Sequence, residues 1–434
     1  MLLKRFQLGL IHVAVAMTLV PINSTLNRVM IKEMALSATL VAVLASLPYL
    51  FSPIQVMIGS FADRHPIFGW RRTPYIFVGL VLCVLGLVLS PYAAFAIAEN
   101  FWSGIWLGIL AFGAWGMGYN FASVSYLSLA SEISGETGRG RTIAVMFLMM
   151  IVSLIFTAEA LRHMVDPYTA EVLIRAVWIV GLMAFVLGLL GLIKLEMRTK
   201  VASVPMEERY SWGEMAAAIL ENRQATLFFA YLAILLTALL GHDILLEPFG
   251  GEAFGMPIEQ TTRFTSIWGT FTLVALLLAA MLERRTSKLK VATWGGWGAF
   301  LGFVLIALSG VMTNTGVFYT GMVLLGFGTG LATVSNLSLM LDMTTATKVG
   351  LFIGAWGMSN AISRLAGSVI GGAVRDTLTR VLPNPATAYV VVFGIMAILI
   401  LISLLMLRRI DVAAFRQQAD KTSTLQRAAL AGEV

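Results

Sequence analysis

The amino-acid sequence predicts an all-α integral membrane protein of about twelve spanning helices, arranged as two parallel six-helix halves. Three observations predict it: apolar runs of membrane-crossing length, Lys and Arg gathered in alternate loops, and a segment that recurs in the second half. Of 434 residues, 58% are hydrophobic and 12% charged, and the mean hydropathy is +0.86. Soluble domains average about 45–50% apolar and about 25% charged residues. Runs of about 20 uncharged residues cross about 30 Å of hydrocarbon. Lipid offers the backbone no hydrogen-bond partners, so each run is helical.

The runs cover 8–30, 37–62, 73–97, 102–131, 141–164, 172–195, 224–247, 262–282, 291–312, 315–341, 349–373 and 386–408. They divide the chain into an N-terminal half (1–195), a cytoplasmic linker (196–223), a C-terminal half (224–408) and a cytoplasmic tail (409–434). No interval is long enough for a folded soluble domain. Within the linker, Trp212 to Leu220 reads as an amphipathic surface helix. Lys4 and Arg5 precede the first run, and Ala14-Val15-Ala16 resembles a leader cleavage site. That triplet lies inside the apolar run, so a first spanning helix is expected instead.

Orientation follows from the basic residues. Of 30 Lys and Arg, 22 fall on the side of the chain ends and seven on the other (Arg28, Lys32, Arg162, Arg175, Arg263, Arg375 and Arg380); Arg364 lies inside a run. Basic loops stay in the cytoplasm, so both ends are expected there. The net charge of +7 therefore reports topology, not nucleic-acid binding. The single cysteine, Cys83, lies in an apolar run and reads as a packing thiol.

The repeat is specific. Ala122-Ser-Val-Ser-Tyr-Leu-Ser-Leu129 and Ala332-Thr-Val-Ser-Asn-Leu-Ser-Leu339 agree at six of eight positions at an offset of 210. An acid, Glu132 or Asp342, closes each copy, and a glycine ladder precedes each (Gly113, Gly116, Gly118; Gly326, Gly328, Gly330). Asp63-Arg64 after the second run is echoed by Glu283-Arg284 after the eighth. Six helices per half make the halves parallel, the two-half arrangement of a major-facilitator-type fold.

The loop after the second run reads Gly59-Ser-Phe-Ala-Asp63-Arg64, then after extra residues Gly69-Trp-Arg71-Arg72. It is similar to the loop signature of that superfamily. Gly59 permits close helix approach, and Asp63 can pair with a cation or a helix N-terminus. The motif Gly59, Asp63, Arg64, Gly69, Arg71, Arg72, Glu283 and Arg284 is thus expected to lock the two halves at the cytoplasmic face. Loosening of that closure by Asp63→Asn is the corresponding expectation.

Polar residues inside spans are costly and mark sites. Candidate pigment- or substrate-binding residues are His12, Asn23, Asn27, Gln55, Asn120, His242, Asn336 and Asn360. Candidate buried ion pairs involve Glu159, Asp243, Glu247 and Arg364; Arg364 is expected to pair with one of the acids, and the four-residue spacing puts Asp243 and Glu247 on one helix face. For His12 and His242 the alternatives are a packing hydrogen bond or axial ligation of a chlorin magnesium. No metal-ligand cluster, phosphate-binding Gly-Lys-Ser/Thr loop or nucleophile elbow is present in the sequence. ATP-driven transport and hydrolase chemistry therefore lack support, and no enzyme activity is expected.

Ser24-Thr-Leu-Asn27-Arg28-Val-Met-Ile31, Ala38-Thr-Leu-Val-Ala-Val43 and Gly69-Trp-Arg-Arg-Thr-Pro74-Tyr-Ile76 carry a closer likeness. With them the chain resembles the bacteriochlorophyll-delivery family, which includes the PucC and LhaA light-harvesting assembly proteins; residues 1–80 look most like its Bch2-type branch. The resemblance implies an assembly factor that binds or delivers (bacterio)chlorophyll, or a precursor, as cargo rather than as a catalytic cofactor. It implies light-harvesting or reaction-centre polypeptides and chlorophyll-synthesis enzymes as partners, in the intracytoplasmic photosynthetic membrane. It carries over no ligand set. A proton-coupled secondary transporter of a lipophilic or anionic solute, and a pigment-free scaffold, are the alternatives.

Overall fold

The computed structural model describes residues 2–52, 54–198, 213, 217, 219–343 and 349–415. The expected surface helix Trp212 to Leu220 and the tail beyond Phe415 fall largely or wholly outside them. Among the described residues, twelve helical spans follow in order. They are α1 Leu2–Glu33, α2 in three pieces (Ala38–Ala45, Leu47–Leu50, Ile54–Arg64), α3 Thr73–Glu99, α4 Phe101–Gly135, α5 Gly138–Met164 and α6 Ala170–Leu192. The second half holds α7 Arg223–Gly241 with an extension Leu246–Phe254, α8 Ile258–Leu282, α9 Lys288–Met312, α10 Thr315–Asp342, α11 Val349–Thr379 and α12 Pro385–Leu407. Among the described residues, ten helices are long and apolar enough to cross a membrane. The other two spans are the broken α2 and the polar-rich α11. The face where α1 begins and α12 ends is termed the terminal face, the other the distal face.

Small polar residues start these helices. Asn100, Thr169, Asn222, Ser287, Asn314 and Asn384 each accept a backbone N–H from the helix that follows. Such caps satisfy donors that the first turn leaves free.

Local chemistry departs from uniform spans in three places. Pro21 lacks an N–H, and α1 widens into π-turns at Ile22–Leu26 and Val29–Glu33. α4 and α5 continue past their expected ends and meet at Gly135, whose φ of 63° favours glycine. α7 stops at Gly241, and residues 242–245 form a turn before the extension. Asp243 and Glu247 are thus not on one helical face, because the periodicity that would align them is interrupted between them.

The internal repeat is reproduced in the packing. Gly79 and Gly86 of α3 lie against the backbone of α4 at Gly118–Ala122 and Ala111–Trp115. Gly295 and Gly302 of α9 lie against α10 at Gly328–Ala332 and Gly321–Leu325, the positions the 210-residue offset assigns. A side chain at any of these glycines would meet backbone, so the two helix pairs share one close crossing. Cys83 is buried in the first of them, its Sγ 3.5 Å from the Trp115 carbonyl.

Candidate functional site

The seam between the halves carries polar residues at two levels. At mid-seam, Gly241 and Gly367 bring α7 and α11 into backbone contact. That contact places Arg364, one turn earlier on α11, beside the turn that ends α7. Arg364 there forms an ion pair with Asp243. The guanidinium also lies over the ring of Tyr49, 5.2 Å from its centroid, and Tyr49 belongs to α2 in the other half. The Arg364 side chain keeps 24% of its surface accessible.

Nearer the distal face, bonds cross the seam. Asn27 donates to the Ile244 carbonyl at 2.8 Å, so an α1 side chain serves a carbonyl of the α7 turn. Lys32 donates to the Gly251 carbonyl. Arg28 pairs with Glu33 at 2.8 Å and donates to the Met256 carbonyl at 3.3 Å. Gly251 leaves room here for the Arg28 guanidinium, which a Cβ at that position would displace. Thr25 and Thr262 hydroxyls lie 3.1 Å apart, and Ser266 donates to the Ile155 carbonyl at 3.1 Å. Glu247 is buried at 3% exposure; Thr265 donates to its Oε1 at 3.1 Å, and its Oε2 has no partner among the described residues.

At the distal rim, Asp376 of α11 closes onto the start of α2. Its carboxylate accepts from Ser37 Oγ at 2.7 Å, Ala38 N at 3.0 Å, Thr39 N at 2.8 Å and Thr39 Oγ1 at 2.6 Å. An anion from one half thus caps a helix of the other, where free N–H groups and the helix dipole favour it. Gly372 lets the α2 backbone lie against α11 at this point.

The terminal face is built differently. Glu132 accepts from Arg72 at 2.9 Å and Arg71 at 3.4 Å. Glu196 receives the backbone N–H groups of Arg71, Arg72 and Thr73 at 2.8, 3.1 and 2.7 Å, capping α3. The second half repeats this with Lys288 on Asp342 at 2.7 Å and Ser338 on Glu283 at 2.9 Å. Gly69 takes φ 82° in the loop, and Arg64 is exposed. Gly59 is buried in α2, and Arg284 is exposed after α8. The Asp63 side chain lies outside the described residues. Among the described residues, the hydrogen bonds and ion pairs of this motif stay within one half, where a lock between halves was expected. The loop turns back on the helix that follows it, so its arginines reach the acid ending α4.

The other candidates divide cleanly. Arg364 pairs with an acid as expected, but Glu159 binds Arg162 at 2.7 Å, one turn along its own helix, and Glu247 is in no ion pair among the described residues. Gln55 bonds Asn120, which donates to the Pro48 and Gly116 carbonyls at 2.9 and 2.8 Å, tying broken α2 to α4. Asn336 accepts from the Tyr231 hydroxyl at 2.8 Å, and Asn360 donates to the Trp356 carbonyl at 2.9 Å. The Asn23 carbonyl accepts from the Asn27 amide at 3.3 Å. His12, 4% exposed, is packed between Tyr126 and Phe147, and His242, 2% exposed, between Trp268 and Phe303. Each imidazole is enclosed within its own half. Tyr49, Glu196 and Asp376 were not among the expected site residues.

Comparison with known proteins places this geometry in company. A family model described as PUCC protein matches residues 25–415. The chain is 32% identical to Protein PucC of Cereibacter sphaeroides over 95% of this chain and 94% of that one. It is 30% identical to Protein PucC of Rhodovulum sulfidophilum, over 86% and 85%. A Rhodobacter capsulatus protein named Bacteriochlorophyll synthase 44.5 kDa chain is 27% identical over 93% and 94%. Among solved structures, the nucleoside transporter NupG superimposes with a TM-score of 0.73 at 13% identity, covering 94% of this chain and 98% of that one. The likeness to NupG is one of fold, a transporter-type bundle.

Proposed function

The chain belongs to the PucC family, and on that footing we propose that it is a non-enzymatic assembly factor that binds (bacterio)chlorophyll, or a precursor, and delivers it to nascent light-harvesting or reaction-centre polypeptides. The observation that carries this reading is the near full-length likeness to a relative named for bacteriochlorophyll synthesis. The two-half bundle supports it, because a seam that opens at one face at a time can accept and release cargo. The excess of basic residues at the terminal face supports a cytoplasmic placement of both chain ends. The intracytoplasmic photosynthetic membrane is the proposed site of action, with chlorophyll-synthesis enzymes as donors of the cargo.

Purification in mild detergent tests this directly. The protein is expected to carry a chlorin absorbance band at about one equivalent; a colourless protein from pigment-making cells overturns the proposal. The proposal places no axial ligand on the two enclosed imidazoles, so H12A and H242A are expected to keep the band. The second reading, a proton-coupled transporter, is favoured by the Arg364–Asp243 pair on an accessible seam and by buried Glu247. A colourless protein that drives proton-dependent solute uptake in proteoliposomes would establish it instead.

A further inference from the structure

We infer that Arg364 is the recognition point for a carboxylate on the cargo. The cargo is then a chlorin that still carries a free acid side chain, not the long-chain ester of the finished pigment. This rests on the pigment-handling reading above and names the substrate class of the seam.

The geometry supports exchange at this point. A cation inside a membrane span is costly and persists where it has a partner and a task. Arg364 has its partner, Asp243, in the resting bundle. That partner sits on the turn 242–245, not on a helix, so it can move without breaking a helical ladder. The guanidinium itself is held, because the Gly241–Gly367 contact fixes α11 against α7 one turn away. Its side chain is accessible from the seam, unlike the buried Arg28, whose bonds close the distal face. Tyr49 covers one face of the guanidinium from the other half, so an anion arriving here touches both halves at once. A guanidinium fork matches a carboxylate, Asp243 already binds Arg364 through Nη1, and charge-assisted bonds of this kind are the strong ones.

The test compares chlorophyllide with its methyl ester, binding each to the detergent-purified full chain and to R364Q/D243N. The ratio of the two Kd values in the neutral pair cancels partition into the micelle. The wild-type ratio is expected to favour the acid by about tenfold or more over the ratio in R364Q/D243N, the effect of one charge-assisted hydrogen bond. D243N alone keeps the arginine and removes its competitor, so its preference for the acid is expected to rise; it serves if the double variant does not fold. Equal ratios in wild type and R364Q/D243N, or an unchanged preference in D243N, overturn the inference and leave pigment binding standing. Binding of neither chlorin overturns both.

Discussion

The two faces of the bundle hold their charges in opposite ways. At the distal face, Arg28, Lys32, Asn27 and Asp376 reach from one half to backbone or hydroxyl groups of the other. At the terminal face, among the described residues, Glu132, Glu283 and Asp342 bind partners in their own half, and Glu196, which opens the linker, binds the N-terminal half. The same residue types therefore do different work. A bond across the seam exists only while that face is closed, whereas a bond within a half survives any rocking of the halves. The distal bonds report and stabilise one state of the seam; the terminal bonds stiffen each half so that it can move as a body.

Removing the Asp376 carboxylate is the strongest way to break that contrast. Asp376→Ala takes the acceptor from the Ala38 and Thr39 N–H groups, leaving α2 only the Ser37 Oγ cap on Leu40, and deletes the hydrogen bonds that join α11 to it. A lost cap costs about 1 kcal/mol, and a charged hydrogen bond about 1.5–3. The closed distal state is expected to lose about 2 kcal/mol, roughly a thirtyfold shift towards opening. Cysteines introduced at buried positions of the distal seam outside these contacts should then react faster with a membrane-impermeant thiol reagent. An unchanged rate would show that Asp376 caps α2 without holding the halves together.

A smaller effect is expected at Gly251. Gly251→Ala places a methyl group where the Arg28 guanidinium lies. Arg28 is a flexible side chain and yields, losing its bond to Met256 while keeping Glu33. Distal labelling should rise by about fivefold, in line with about 1 kcal/mol for one hydrogen bond. A rise equal to that of Asp376→Ala would mean that the two contacts form one cooperative latch.

Sequence reached the bundle and stopped short of the latch for physical reasons. Spans and the repeat are written in composition and periodicity, which are local or self-similar properties. The glycines of α3 and α9 confirm the repeat because close packing needs the same small residue at the same crossing. The Arg364 pairing was legible because a cation in hydrocarbon must find an acid. Which acid it finds was not, since the turn at 242–245 redirects Asp243 and Glu247 to different neighbours. Asp376 was invisible as a gate because its partners lie more than 300 residues away, at |i−j| of 337 to 339. The two buried histidines make a related point. Polarity in a span flags a residue, but only packing shows whether it faces the seam.

The smallest expected effect lies at the terminal face and sharpens the contrast from the other side. Glu132→Gln weakens the pairs with Arg71 and Arg72. The Glu132 side chain is one-third exposed, so water screens much of the loss and the cost should stay within about 1 kcal/mol. The thermal midpoint of the detergent-solubilised protein should fall by only a few degrees, and the distal cysteine rates should not change, because neither partner lies in the second half. A distal rate that did respond would mean that strain passes from the α3–α4 junction through the rigid N-terminal half to Asp376. The halves would then not be independent bodies, and the division of labour between the two faces would fail.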